Sequence, residues 1–465
     1  MHRRSKKILM GAGVVVGLLI VIYGVALARS STKLRAAYTA LEEDGRPMVA
    51  AELIPPEVPE AENAAPYYLY AADVLKQQAV TRKKTLLEHL GALAFTFMGD
   101  TFEPEERAEL EALMAQENVI SVLTALEQAL QRPACRFDCD YDNGLLTEAF
   151  PSRDLRLLAR LWGVRACLEA EAGRAAHAWD MVQTQFRCAD VLRYTPTVGG
   201  HLSRLGIISD LCHVVRKLYE IAPPSDEVCW KVEALLADHV DIEPLIYALD
   251  AERLLRGEWL FNLPHDRLYE ALRRDGMILS HSGGPEAFSR LAFRAIAFRP
   301  RLLADHAAYL QAMRSAVHVL QSPYALREGA INQAYEDLSD RSLLTQELTP
   351  NIVFVKKIHC NMVAKVRLTR AGLRLLQYEK THGTFPESLD ALGLADLADP
   401  FVDKPLHYRT DGDGFLVYSV GEDQQDNGGT PRQPLDTSGR RPKVPEYDLL
   451  WRFPRETSQS PSSGT

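Results

Sequence analysis

At 465 residues the chain exceeds the usual size of one domain, so two or three units are expected. Charged residues at 25% and hydrophobic residues at 46% are ordinary globular values, and most of the chain can bury a core. Residues 1–35 hold seven Lys/Arg (Arg3, Arg4, Lys6, Lys7, Arg29, Lys33, Arg35) and no acid; removing that +7 from the net −9 leaves −16 for residues 36–465, and an acidic body of that size argues against nucleic acid as a partner.

The first element is ILMGAGVVVGLLIVIYGVALA, residues 8–28, which carries no charge. It is long enough to cross roughly 30 Å of hydrocarbon at about 1.5 Å per residue. The basic segment HRRSKK before it places residues 1–7 in the cytoplasm by the positive-inside tendency and residues 29–465 outside it. Two readings stay open: an uncleaved signal-anchor in the inner (cytoplasmic) membrane, or a signal peptide cleaved after Ala26-Leu27-Ala28, which has the small-x-small form. Residues 29–66 read as a short helical stalk ending at Gly45, then a Pro/Glu-rich linker or surface strap.

Residues 67–350 have helical apolar spacing nearly throughout and predict an exported helical bundle. Thr101 or the acids after it can cap a helix with Pro104 in its first turn, and Ser225 can cap another. Leu155, Leu158, Ala159, Trp162, Ala166 and Leu168, then a break at Gly173, then Ala175, Ala178, Trp179, Val182, Phe186 and Ala189 describe a helix pair. It resembles a tetratricopeptide-type hairpin, although no second copy follows at a 34-residue period, and an isolated αα-hairpin is the alternative. Further helices are expected over 197–221, 225–262, 300–320 and 323–340, with a Gly/Ser loop around His281-Ser282.

Seven cysteines cannot pair completely within one chain. Cys167, Cys188 and Cys212 occupy helical apolar positions and read as buried thiols. Cys135 and Cys139 are close enough to form a small loop disulfide or to remain free. No H-E-x-x-H, Walker-type loop or G-x-G-x-x-G motif occurs, and Ser419 lacks the first glycine of G-x-S-x-G. The sequence therefore nominates no catalytic residue.

Residues 351–451 predict a small α+β module: a long helix ending at Gly383, a short helix, and two strands joined by an Asp-Gly turn into an antiparallel hairpin. Residues 452–465 read as a disordered tail. In order, HGTFPESLDALG, DPF, KPLHYR, DGFLVYSVGED and YDLLW resemble the C-terminal domain of the major pseudopilin of type II secretion. That resemblance implies a helix leading into a small antiparallel sheet and a calcium loop, with Asp423 and Asp448 at ligand positions. The acids that precede the last aspartate in that family are replaced here by RRPKVPEY. The loop thus has two readings, a calcium site holding Asp423, Asp426 and Asp448, or a solvated turn with no ion. The whole layout also resembles uncharacterised bacterial single-pass membrane-anchored proteins. For function, the expectation is a non-catalytic envelope scaffold that binds a protein or peptide partner. The alternative is an exported, hydrolase-like enzyme whose site is assembled from residues distant in sequence.

Overall fold

The computed structural model describes residues 2–81, 84–97, 104–139, 141, 144, 151–274, 298–324, 343–394, 397–431 and 448–454. The chain is mainly α-helical, with one apolar helix near its start and small antiparallel sheets. That helix, α1 (His2–Glu43), runs without a break from the apolar stretch through Ala26-Leu27-Ala28 and on through the stalk. It stops where Gly45 takes a left-handed φ of 66°. Val14 to Ile22 lie exposed, whereas Ser30, Leu34, Ala37, Tyr38 and Leu41 recur at three- and four-residue intervals and turn inward.

The body begins with a strap over the surface, where Leu53 is buried against Ala251, Leu254 and Leu255. Next come α2 (Ala65–Lys76), the short pair β1 (Ala79–Thr81) and β2 (Lys84–Thr85), α3 (Leu86–Phe97), α4 (Pro104–Met114) and α5 (Glu117–Leu130). The expected hairpin is α6 (Ser152–Glu171) and α7 (Ala175–Asp190), and Gly173 makes the turn at φ 82°. Indole N–H groups fix it: Trp162 donates to the Met181 carbonyl at 3.0 Å, and Trp179 donates to the Ala222 carbonyl at 2.8 Å.

Thr197 caps α8 (Val198–Ile221) and Ser225 caps α9 (Asp226–Ala237), each by accepting a backbone N–H three residues on. The sequence reading runs one helix over 225–262, and the structure divides it. After α9 the chain turns at His239, starts again as α10 (Glu243–Glu252) with Pro244 in the first turn, widens into a π-helical turn at Arg253–Glu258, and ends in α11 (Trp259–Phe261). Proline fits a first turn because its missing N–H is an orphan there. There follow α12 (His265–Arg274), α13 (Arg299–Gln321), α14 (Leu343–Leu348) and α15 (Ile352–His382). Asn351 caps α15, and Gly383 closes it at φ 75°. His281-Ser282 and nearly all of 323–340 lie outside the described residues.

Beyond α15, β3 (Ala398–Asp399) pairs with β4 (Lys404–Pro405), and a three-stranded antiparallel sheet is built from β5 (His407–Asp411), β6 (Gly414–Ser419) and β7 (Leu449–Phe453), with β6 central. Asp411 faces Gly414, so the hairpin loop is Gly412-Asp413 rather than an Asp-Gly pair. Gly412 takes the positive φ of 58° at the first loop position, the arrangement whose twist matches the flanking strands.

Two large apolar cores form among the described residues, beside smaller clusters. One gathers α2 to α9, the later turns of α15 (Met362 to Leu376) and the sheet residues Phe415, Val417 and Trp451. The other gathers Ala37 and Leu41 of α1 with α10 to α14 and the start of α15 (Ile352, Val355). Helix α15 thus runs through both cores.

Candidate functional site

Among the described residues a buried polar network lies where α1 meets the body. A π-helical turn closes backbone bonds five residues apart, so it stacks Glu258 over Arg253, and the two side chains form an ion pair. Such turns concentrate at functional sites. Glycine at 257 is required here, because a Cβ would lie 2.1 Å from the Tyr309 hydroxyl oxygen. Tyr38 of α1 donates its hydroxyl hydrogen to Glu258 Oε2 at 2.7 Å, and His306 Nε2 of α13 lies 3.4 Å from the Tyr38 hydroxyl oxygen. Arg253 also donates to the Pro47 carbonyl and sits 3.6 Å from Asp250, which Arg46 approaches at 3.4 Å. The His306 ring stacks on Phe261 with centroids 4.6 Å apart. At the end of α1, Asp44 accepts two bonds from Arg314, at 2.6 and 2.9 Å, and lies 3.1 Å from His318 Nε2.

Burial governs the titration of this network. Desolvation raises the Glu258 carboxyl above its ordinary range against the opposing pull of Arg253 and Tyr38, and it raises Asp250 as well. Desolvation, helped by the Arg253 charge, pushes His306 down to about 4. A carboxyl, an imidazole and a phenol within reach of one another are acid–base groups by type. Here each is committed to a neighbour, and the result is a lock between α1 and the body.

The histidine gives a pH prediction. Between pH 6.5 and 4 the unfolded chain takes up a proton at residue 306 that the folded chain refuses, so stability falls as the pH drops through that window. From pH 7 to 5 this one group removes about 2 kcal/mol. Thermal unfolding of the full chain in detergent should show that part of the acid loss reduced in His306→Gln. An unchanged pH slope in the variant would contradict the assignment.

The sequence-nominated calcium residues are nearby in space, and each carboxylate serves its own loop. Asp448 is buried and accepts from Gly429 N (2.7 Å), Thr430 N (3.2 Å) and Asn427 N (3.4 Å). Asp426 accepts from Tyr418 Oη and Gly428 N, both at 2.9 Å, and the Gly428 N–H holds its carboxyl below the ordinary range. Asp423 accepts from Gln425 N and Asn427 Nδ2, both at 3.1 Å. Among the described residues no group of three His, Cys, Asp or Glu side chains is placed to hold a metal ion. Cys135 and Cys139 are not joined by a disulfide, and Asp411 lies 3.3 Å from Arg452.

A more central aspartate is Asp399, which sequence reading uses only as part of a motif. It is fully buried and accepts from Phe401 N (3.0 Å), Ser419 Oγ (2.9 Å) and Val420 N (2.9 Å), fastening the end of β6 to the β3 turn. Asp399→Ala is expected to cost about 2 kcal/mol, since three buried donors lose their acceptor. Urea unfolding measures it, and a loss under about 0.5 kcal/mol, typical of an inert surface change, would contradict this role. The Asp-Pro-Phe string is the signal that marks it.

Comparison of the chain with protein-family models, with curated proteins and with solved structures finds no match.

Proposed function

We propose that the chain is a single-pass envelope protein that stays anchored through residues 8–28 in the cytoplasmic membrane and holds a helical, non-catalytic binding body on the outer side. The observation that carries this reading is the continuity of α1. One helix is exposed and apolar at one end, enters the second core at Leu41, and is tied by Tyr38 to Glu258. An intact helix through Ala26-Leu27-Ala28 supports the uncleaved anchor, because a peptidase must take its substrate extended. Tyr23, inside the span, meets Phe298 edge-on with centroids 5.3 Å apart, so the start of α13 would lie at the membrane surface, where aromatic side chains favour the interface.

A body clamped to its anchor cannot swing on a loose tether, which suits a scaffold that presents a partner at a fixed height. Leu69 and Tyr70 on α2 and Ile120 on α5 supply exposed apolar side chains on two helices that pack together, a suitable face for a protein or peptide. The experiment combines topology and partner capture. An export-dependent reporter enzyme fused after Thr465 is expected to be active, and a photocrosslinking residue at Tyr70 or Ile120 to yield one common adduct that the same probe at Glu227 does not. Activity only of a cytoplasm-restricted reporter would overturn the topology, and identical adducts from all three positions would overturn the binding face.

A further inference from the structure

We propose that His201 and Arg204 of α8, with His359 of α15, form a buried binding site for a small oxyanion, a carboxylate or phosphate group. His201 and Arg204 are one turn apart on one helix, both 0% exposed, and α15 packs directly on α8. None of the three Arg204 side-chain nitrogens has a hydrogen-bond partner, nor has either ring nitrogen of His201, nor His359 Nδ1. Six buried donors or acceptors on these three side chains therefore lack protein partners. A buried guanidinium with no hydrogen-bond partner is a costly arrangement for a fold to hold.

The acids around Arg204 are committed elsewhere. Asp238 pairs with Arg193 at 2.7 Å, and Asp190 lies 3.6 Å from Arg193 and 3.3 Å from His239. Asp241 accepts from the Glu243 N–H at 3.0 Å. The nearby Lys356 ammonium donates to the carbonyls of Val319 and Ser322. The guanidinium fork, left without a hydrogen-bond partner, matches two oxygens of one anionic group. Desolvation lowers both imidazoles, His359 to about 4, so each is neutral and supplies one N–H without adding charge. The set fits a singly charged oxyanion better than a polyanion. His359, 7% exposed, is the member nearest to solvent.

The test uses the full chain in detergent, dialysed exhaustively into sodium chloride and then titrated at constant ionic strength with sodium phosphate or sodium acetate. At saturation at least one anion is expected to raise the Tm, by ~3 °C at a hundredfold excess over Kd. A rise with phosphate alone identifies a phosphoryl ligand, and a rise with acetate a carboxylate. Arg204→Met should abolish the rise, while Arg409→Met, on β5, should keep it. Should Arg204→Met fail to fold, His359→Gln carries the test by calorimetry, with affinity about tenfold weaker. The proposal is overturned if neither anion shifts the wild type, if Arg204→Met keeps the full rise, or if His359→Gln binds like wild type.

Discussion

Replacing Arg253 with methionine is expected to lower the unfolding free energy of the full chain by about 3–5 kcal/mol. The guanidinium is 1% exposed, is paired with Glu258, and holds the Pro47 carbonyl just past the end of α1. Its loss leaves a carboxylate buried beside Tyr38 with no counter-charge, and burial already drives Glu258 toward its neutral form. A second substitution, Glu258→Leu on top of Arg253→Met, should recover much of the loss, because a buried ion pair replaced by apolar side chains of similar volume costs little. Urea unfolding followed by helix content measures both. A single variant as stable as wild type, or a double variant worse than the sum of the two single changes, would remove the network from the account.

The second large effect is expected at the seam between α15 and the C-terminal sheet. Trp451, in the middle of β7, lies against Gly372; a Cβ on that glycine would meet the indole at 2.0 Å. Arg216 covers the indole ring at 5.1 Å while donating to Thr369 Oγ1 and to the carbonyls of Leu450 and Lys365. Trp451→Ala should cost about 3–5 kcal/mol, the usual penalty for emptying a large aromatic site. Gly372→Ala should cost about 1–3 kcal/mol by overpacking. In the Trp451→Ala background the same glycine change should turn neutral or stabilising, since the clash is gone and alanine favours the helix by roughly 1 kcal/mol. If Gly372→Ala is harmless in the wild-type chain, the indole is not seated on the helix.

Much of the fold was legible because its signals are local. The uncharged run, the Gly173 break, the Ser225 cap, the Gly383 stop and the apolar run in FLVYS each depend on a few neighbouring residues, and the corresponding elements stand where these place them. The 225–262 reading failed because apolar spacing continues across His239 while the chain itself turns there. The inward face of the stalk was readable in Leu34, Ala37, Tyr38 and Leu41, whose intervals are helical; the basic and acidic residues around them obscured it. The network around Arg253 and Glu258 was not readable. Tyr38, Glu258 and His306 are 220 and 48 residues apart in sequence, and a π-helical turn has no compositional signature that brings Arg253 under Glu258. The same limit applies to His201, Arg204 and His359, where an ordinary-looking arginine becomes unusual only through its burial without a partner.

Helix α1 and the body form one continuous unit. Hydrogen exchange of the full chain in lipid nanodiscs tests it most directly, read at the backbone amides of residues 28–43. The account predicts protection through this whole segment at the level of α13, on which it packs, and a marked drop in that protection in Arg253→Met. Rapid exchange of residues 28–43 beside a protected α13 would contradict it, since the stalk would then be a free tether.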